Sequence, residues 1–159
     1  VYRNYNDSNR LTELKKIAKA CKEMRYPLFV SNDINLALKV KADGVYIPAF
    51  NKTLKFINRE KKNLLVIGSA HNQKEIHDKI SQNCAAIFLS PVFKIKKKKN
   101  FLNLHKFNFL SNNNKINVLA LGGINEKNIY KLKLLNIKGF GGIGIFKKKA
   151  GFFKPAFLK

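Results

Sequence analysis

Short apolar runs with the composition of β-strands alternate along the chain with segments of helical periodicity, and this alternation constrains the fold more than any other feature. The runs are apolar at consecutive positions, which is typical of strands covered on both faces, and strands joined by helices pair in parallel. We therefore predict an α/β fold with seven parallel strands, at Val1–Arg3, Pro27–Val30, Gly44–Ile47, Leu64–Ile67, Ala85–Leu89, Asn117–Leu121 and within Gly139–Gly144.

Two of the connecting segments, Arg10–Met24 and Asn125–Leu135, place apolar residues on one helical face and are predicted to be crossover helices. Such a chain folds as a doubly wound sheet or as a (β/α) barrel. Regular repetition with no reversal point favours a TIM-type barrel. A complete barrel has eight strands and typically about 200 to 250 residues, so this chain of 159 residues is expected to lack the N-terminal strand–helix unit, which would precede Val1. We expect one domain over residues 1–159.

The segment Gly139–Gly144 reads GFGGIG and fits the dinucleotide-binding pattern G-x-G-x-x-G. That fingerprint requires a following helix, a second parallel strand and an acidic residue about 20 positions further on. The sequence after Gly144, IFKKKAGFFKPAFLK, has none of these. Glycine runs after the last two strands, LALGGIN and GFGGIG, instead indicate a phosphate site built from backbone N–H groups. Tight packing at the corners of the barrel is the alternative explanation for the same glycines.

Polar residues follow several of the predicted strands, where the loops of a parallel α/β fold converge on one active-site mouth. They combine one carboxylate with amides, a histidine, an arginine, the lysines that follow SPVF and bare glycine backbone. This is a set suited to phosphate with one candidate metal ligand. The residues are Arg3, Ser31, Asn32, Asp33, Asn51, Ser69, His71, Ser90, Gly122, Gly123 and Gly144.

Four segments in order, SNDINLALKVKADGVYI, IGSAHNQKE, FLSPVF and LALGGIN, resemble the thiamine-phosphate synthase and thiazole tautomerase superfamily of TIM barrels. The corresponding family motifs run N-D-x-x-x-L-A…A-D-G-V-H, G-x-S-x-H, G-P-v-F and G-G-I. The resemblance covers nearly the whole chain. It implies a transferase of thiamine biosynthesis that couples a pyrimidine methyl diphosphate to a thiazole phosphate, with Mg²⁺ as cofactor.

The resemblance also implies roles for particular residues. Arg3 matches a pyrophosphate-binding arginine, Asn32 a substrate-contacting asparagine and Asp33 a magnesium-ligating aspartate. Ser69 matches a serine near the diphosphate, and the thiazole phosphate site is matched by Gly122, Gly123 and the backbone around Gly142–Gly144.

The sequence departs from the family pattern at several of these positions. Tyr5 stands where the family has a lysine, Asn51 where it has a second metal-ligating aspartate, and Gly144 where it has a serine. The loop after SPVF reads KIKKKK, so that Lys98 keeps a family charge while two hydroxyls are missing. Two alternatives therefore stay open: a tautomerase-like enzyme using His71, and a degenerate barrel that only binds a phosphorylated ligand.

Structural roles compete with functional ones at two of the sites. His71 follows a strand, and an imidazole suits proton transfer at neutral pH, but it is equally placed to cap the next helix or to pack under the loop. Asp33 is similarly placed to cap the helix that begins in INLALKV. Asp43, in the turn ADG before a strand, is predicted to be structural.

The balance of 32 Lys and Arg against 9 Asp and Glu gives a net charge of +23, which attracts polyanions. The heavy use of Lys, Asn, Ile and Phe is also typical of AT-rich coding bias. In the run Lys96–Lys99 no aromatic residue is interleaved, so we interpret it first as a solvated loop, second as a diphosphate contact and third as a nucleic-acid contact. The expected partners are phosphorylated pyrimidine and thiazole compounds, without specific nucleic acid.

Two further observations bear on cellular location. Cys21 and Cys84 are isolated from each other and from any metal-binding motif, which predicts reduced thiols in a cytoplasmic protein. No apolar run reaches the roughly 18 residues of a membrane-spanning helix, so no membrane association is expected.

Overall fold

A computed structural model of the chain describes residues 1–5, 9–56, 64–95, 100–142 and 144–147. The strands are β1 (Phe29–Ser31), β2 (Gly44–Ile47), β3 (Leu65–Ala70), β4 (Ala86–Leu89), β5 (Asn117–Leu121) and β6 (Gly139–Gly141). The α-helices are α1 (Arg10–Glu23), α2 (Ile34–Lys39), α3 (Gln73–Ser81), α4 (Asn103–Asn112) and α5 (Gly144–Lys147). Short 3₁₀ helices cover Leu54–Phe56 and Ile129–Leu134.

The six strands follow one another in the sheet in the order in which they occur in the sequence. β1 pairs with β2, β2 with β3, β4 with β5 and β5 with β6, each time in parallel. A doubly wound sheet reverses its strand order at a switch point, whereas sequential parallel order is that of a (β/α) barrel. The fold is therefore the predicted TIM-type α/β arrangement.

The predicted strand at Val1–Arg3 is reduced to a single parallel bridge. Tyr2 pairs with Val30, because the Tyr2 amide donates to the Phe29 carbonyl at 2.8 Å and the Ser31 amide donates to the Tyr2 carbonyl at 2.9 Å. The described residues thus contain six strands and this bridge rather than seven full strands.

Two compact units make up the chain: a first unit of Val1–Ser69 and His77–Ala85, and a second unit of Ala70–Ile76 and Ala86–Lys159. The core of the first unit contains the completely buried side chains of Leu14, Val30, Val45 and Ile47. The core of the second unit contains those of Ile87, Leu89, Val92, Phe107 and Ala120. That residues 1–159 form one domain stays a prediction.

Side-chain oxygens fix the ends of several elements in the first unit. The carboxylate of Asp33 accepts the Leu36 amide at 2.9 Å and so caps the start of α2. The carboxylate of Asp43 accepts the Leu28 amide at 2.7 Å, which ties the turn before β2 to the residue before β1. The structural role predicted for Asp43 is confirmed.

The predicted crossover helix at Asn125–Leu135 is wrong in type and length, since the chain forms the 3₁₀ helix Ile129–Leu134 instead. The Asn128 side chain accepts the Asn125 amide at 2.8 Å, and the Asn125 side chain accepts the Lys127 amide at 2.9 Å. Such local bonds from asparagine compete with an α-helical ladder. Across the described part of the chain, no helix has the length and apolar character needed to cross a membrane.

Candidate functional site

A cavity of about 510 Å³ lies in the second unit, where the chain leaves β4, β5 and β6. Because these are the carboxyl ends of parallel strands, the cavity is at the end of the fold where (β/α) barrels carry their chemistry. The structure brings together here all four glycines predicted to bind phosphate. The lining comprises Ser90, Pro91, Lys94, Ile95, Leu121, Gly122, Gly123, Ile124, Asn125, Gly142 and Gly144.

Gly122 and Gly123 have backbone conformations and close contacts with the rest of the protein that a larger residue could not adopt. Their φ angles are +95° and +74°, in the left-handed region that favours glycine. A Cβ on Gly122 would lie 2.6 Å from the Cβ of Pro91, and one on Gly123 would lie 2.6 Å from the carbonyl oxygen of Phe93. The close approach of the chain after β4 therefore explains both glycines, as the alternative of tight packing predicts.

Gly144 is different, because packing does not require a glycine there. A Cβ built on Gly144 meets no atom within 4 Å, and its φ lies outside the left-handed region. The residue lines the cavity and is exposed. A larger residue at position 144 would therefore not disturb packing, but its side chain would stand between the backbone and the cavity.

The sequence singled out neither Lys94 nor Asn125 as a ligand contact, whereas Ser90 was among the polar residues expected at the strand ends. Asn125 and Asn128 both donate side-chain N–H groups to the Gly123 carbonyl, at 3.2 and 2.9 Å, and so hold the loop after β5. Lys94 supplies a positive charge to a cavity whose other lining side chains are uncharged. Its position directly after SPVF was the available signal, although a diphosphate contact was considered only for the following run Lys96–Lys99.

His71 follows β3 in the second unit and contacts Ser90, which lines the cavity. Its Nδ1 lies 2.6 Å from the Ser90 carbonyl oxygen and 3.2 Å from the Ser90 hydroxyl. Since a carbonyl oxygen only accepts, Nδ1 carries a proton, and in the neutral ring Nε2 is the acceptor. At the start of α3 the Asn72 side chain accepts the Glu75 amide at 3.0 Å, and the His71 backbone N–H donates to the Glu75 carboxylate at 2.7 Å. Asn72 therefore provides the side-chain cap, while the His71 side chain contacts Ser90.

In the first unit, Arg3, Asn32 and Asn51 lie around the carboxyl ends of β1 and β2. The guanidinium carbon of Arg3 is 5.4 Å from the ring centroid of Tyr46, a cation–π contact that fixes its direction. The Asn51 side chain donates to that of Asn32, which has a φ of +60°. The Asn32 amide donates to the Tyr46 carbonyl at 2.9 Å, so these residues form one connected group.

Tyr5, which replaces a family lysine, reaches the same end of β1. Its hydroxyl lies 2.6 Å from that of Ser31 in a hydrogen bond. Ser31 is buried, whereas the Tyr5 side chain is 40% exposed. A pair of hydroxyl groups therefore stands where the family resemblance implies a cation.

Asp33 is the carboxylate predicted to bind magnesium, and it already has two partners. Besides capping α2, its second oxygen lies 3.6 Å from the Arg10 guanidinium. Among the described residues, no group of three or more His, Cys, Asp or Glu side chains comes together to hold a metal. Mg²⁺ is commonly held by one or two carboxylates together with substrate phosphates and water, and the single carboxylate of Asp33 fits that mode.

Two predicted site residues add little to this geometry. Ser69 lies in β3 of the first unit and is buried. Lys98, with the whole run Lys96–Lys99, lies outside the described residues.

A parallel TIM-type fold with a glycine-lined cavity at the carboxyl ends of its strands defines the class of the protein as a (β/α)-barrel protein. Comparison with known families identifies which family of barrel proteins the chain belongs to. The chain belongs to the thiamine monophosphate synthase family, whose profile matches residues 1–144.

Individual relatives agree with this assignment. A thiamine-phosphate synthase of Prochlorococcus marinus is 34% identical over 135 residues, which are 83% of this chain and 39% of the relative. One of Campylobacter jejuni is 26% identical over 128 residues, 78% of this chain and 59% of the relative. The solved thiamine phosphate pyrophosphorylase of Pyrococcus furiosus shares the fold, with a TM-score of 0.73 and 20% identity over 89% of this chain and 69% of that one. The chain thus spans about two fifths of the length of the Prochlorococcus relative.

Proposed function

We propose that the protein couples a pyrimidine methyl diphosphate to a thiazole phosphate in thiamine biosynthesis and releases diphosphate. The family match supports the reaction class. The observation that carries the proposal is the cavity of about 510 Å³ in the second unit, lined by Gly122, Gly123, Gly142 and Gly144. Its backbone-rich lining and single lysine suit a phosphorylated heterocycle better than a neutral ligand.

The thiazole phosphate is assigned to this cavity. Its phosphate would lie against the glycine backbone, where N–H groups approach oxygen closely, and Lys94 would add charge. The apolar walls formed by Pro91, Leu121 and Ile124 suit the ring. In this arrangement the cavity holds the acceptor nitrogen in a fixed direction, which lowers the entropic cost of reaching the transition state.

The diphosphate is assigned to the connected group in the first unit. Arg3, held against Tyr46, would bind diphosphate oxygens with its guanidinium fork. Asn32 would contact the substrate, with Ser69 nearby, and Lys98 would contribute charge from outside the described residues. Asp33 would hold Mg²⁺, which when bound neutralises charge on the diphosphate leaving group.

In the reaction itself one bond breaks and one forms. The bond between the pyrimidine methylene carbon and the diphosphate oxygen breaks, and diphosphate leaves with the electron pair. The thiazole nitrogen then donates its lone pair to the cationic methylene carbon. Arg3 stabilises the charge that develops on the leaving diphosphate, which is the kind of interaction that lowers an activation barrier.

Ligand binding to the cavity tests the assignment directly. We expect the thiazole phosphate to raise the unfolding temperature of the purified chain, whereas NAD and FAD leave it unchanged, because only a ligand of the folded state stabilises it. Lys94→Met should weaken the thiazole phosphate affinity by about tenfold, the effect of one lost charge-assisted hydrogen bond. Lys74→Met, an exposed lysine on α3, is the matched control. Stabilisation by NAD, or an unchanged affinity in Lys94→Met, would contradict the assignment.

A thiazole tautomerase-like activity is the second candidate, and the contact between His71 and Ser90 favours it. The Ser90 carbonyl accepts a hydrogen bond from Nδ1–H, and this tautomer leaves Nε2 as the base. This activity needs no metal, so it would persist in chelator, and His71→Gln would abolish it. Coupling that is lost in chelator and survives His71→Gln would exclude this candidate.

The proposed surroundings of the enzyme are those of a cytoplasmic protein with small phosphorylated partners. Cys21 and Cys84 are both free thiols, which agrees with a reducing compartment. No sequence-specific nucleic acid is proposed as a partner.

A further inference from the structure

Lys79 is a charged side chain completely buried in the first unit. Its Nζ donates to the Asn51 carbonyl at 2.7 Å and to the Gln82 side-chain oxygen at 2.7 Å. Gln82, also completely buried, donates through Nε2 to the carbonyls of Asn51 and Thr53, both at 2.9 Å. Two side chains at the end of α3 thus hold the backbone that follows β2.

Gly68 in β3 leaves space for the side chain of Lys79. A Cβ on Gly68 would lie 2.7 Å from Cδ of Lys79 and 3.1 Å from Sγ of Cys84, so a larger residue there would displace the lysine. Burial raises the pKa of the Cys84 thiol to about 11, and the nearby charge of Lys79 only partly opposes this. Cys84 therefore stays neutral near pH 7 and is not a counterion for the ammonium group.

A buried ammonium group is costly unless it is hydrogen-bonded. Here one of the hydrogen bonds from the ammonium group goes to the backbone carbonyl of Asn51, in the loop after β2. The Asn51 side chain in turn contacts Asn32, a predicted site residue. The Asn51 side chain accepts the Thr53 amide at 2.8 Å and donates to Asn32. The chain of contacts therefore runs from Lys79 through Asn51 to Asn32, and Asn32 holds a backbone conformation, φ +60°, that is unusual for a residue with a side chain.

We propose that Lys79 and Gln82 form a buried clamp of positioning residues that orients Asn51 and, through it, Asn32 for the diphosphate substrate. The inference rests on the proposed function, because it assigns Asn32 to that substrate. Neither residue of the clamp touches substrate. The clamp holds the backbone carbonyl of Asn51, the residue whose side chain stands in place of the second family aspartate.

The test compares Lys79→Met with Lys74→Met, a control on the same helix at an exposed position. Three quantities are measured: the side-chain amide NMR signals of Asn32 and Asn51, the dissociation constant of inorganic diphosphate with Mg²⁺, and kcat and KM for both substrates. In Lys79→Met we expect the two amide signals to shift, and the diphosphate dissociation constant and the KM of the diphosphate substrate to rise about tenfold. The KM of the thiazole phosphate should change by less than about twofold, because the clamp does not contact the cavity assigned to that substrate. A purely structural defect would instead lower the fraction of active enzyme, and so kcat, without raising the KM of one substrate alone.

A double-mutant comparison shows whether the effect passes through Asn51. Asn51→Ala should weaken diphosphate binding by itself, and adding Lys79→Met to it should weaken binding no further. If Lys79→Met fails to fold, Gln82→Met is measured in its place, because it removes the donor to Asn51 and Thr53 without removing the charge.

The outcomes separate the clamp from the proposed function. Unchanged amide signals in a folded Lys79→Met or Gln82→Met, or full additivity with Asn51→Ala, overturn the clamp even if the chain is an active synthase. If the wild-type chain neither binds diphosphate nor couples the substrates, the proposed function fails. In that case shifted amide signals still establish that the clamp orients Asn51 and Asn32, and the assignment of Asn32 to diphosphate is overturned.

Discussion

At the scale of single residues, several side chains combine a structural contact with a predicted chemical role. Asp33 caps α2 and lies beside Arg10, yet it is also the one candidate magnesium ligand. Gly123 is fixed by the carbonyl of Phe93 and also lines the cavity. Variants at such positions are informative only if they change one role at a time.

Asp33→Asn and Asp33→Ala separate capping from metal binding. Asparagine caps helices about as well as aspartate, whereas alanine at a cap position costs about 1 kcal/mol. We expect only Asp33→Ala to lower the free energy of unfolding by that amount, and both variants to raise the Mg²⁺ concentration needed for half-maximal coupling by about tenfold or more. Denaturant unfolding and magnesium titration give the two values. A normal magnesium titration in Asp33→Asn would leave Asp33 with a capping role alone.

Gly144→Ala and Gly123→Ala separate ligand access from packing. Gly144→Ala places its Cβ in open space, so we expect stability within about 0.5 kcal/mol of wild type and a weakened thiazole phosphate affinity. Gly123→Ala strains a φ of +74° and meets the Phe93 carbonyl, so it should lose about 1 to 3 kcal/mol of stability. Thermal unfolding with and without ligand measures both effects. An undiminished ligand-induced shift in Gly144→Ala would remove Gly144 from the site.

At the scale of elements, hydrophobic pattern predicted six of the seven strands within a few residues, because consecutive apolar residues identify buried parallel strands whatever the loops do, whereas Val1–Arg3 forms only a bridge. It failed at Asn125–Leu135, where asparagine side chains bond to nearby backbone and replace the α-helical ladder. It also missed Lys79, although Lys79 stands three residues after the completely buried Ile76 on α3. Lysine is expected to be exposed, and the acceptors that hold this one in the interior, the Asn51 carbonyl and the Gln82 side chain, come together only in the fold.

The burial of Cys84, which lies between α3 and β4 in the sequence, predicts a pH dependence of stability. Burial raises the pKa of Cys84 from 9.0 to about 11, so the folded chain keeps a proton that the unfolded chain loses between these values. The stabilisation is complete below the unfolded pKa and is lost as the pH rises through the folded pKa, a difference of about 3 kcal/mol in all. Cys84→Ala should decline less steeply than wild type over this range in denaturant unfolding. Parallel decline of both proteins would contradict the burial of this thiol.

At the scale of the whole molecule, the net charge of +23 is the dominant property. Coulomb attraction to any polyanion follows from it, and salt screens that attraction over about 8 Å at physiological ionic strength. We expect short duplex DNA to bind at low salt without sequence preference and to be released near 150 mM salt, measured by fluorescence anisotropy. Tight binding at that salt which diphosphate does not displace would contradict a small phosphorylated metabolite as the main partner.

The formation of thiamine phosphate by the purified chain tests the central claim most directly. The chain is incubated with the pyrimidine methyl diphosphate, the thiazole phosphate and Mg²⁺, and product and released diphosphate are quantified by mass spectrometry and a coupled assay. The account predicts equal amounts of both products, formed only when both substrates and Mg²⁺ are present and reduced by Asp33→Asn. A folded chain that binds the thiazole phosphate but forms no product above the enzyme-free control would contradict it and indicate a barrel that only binds.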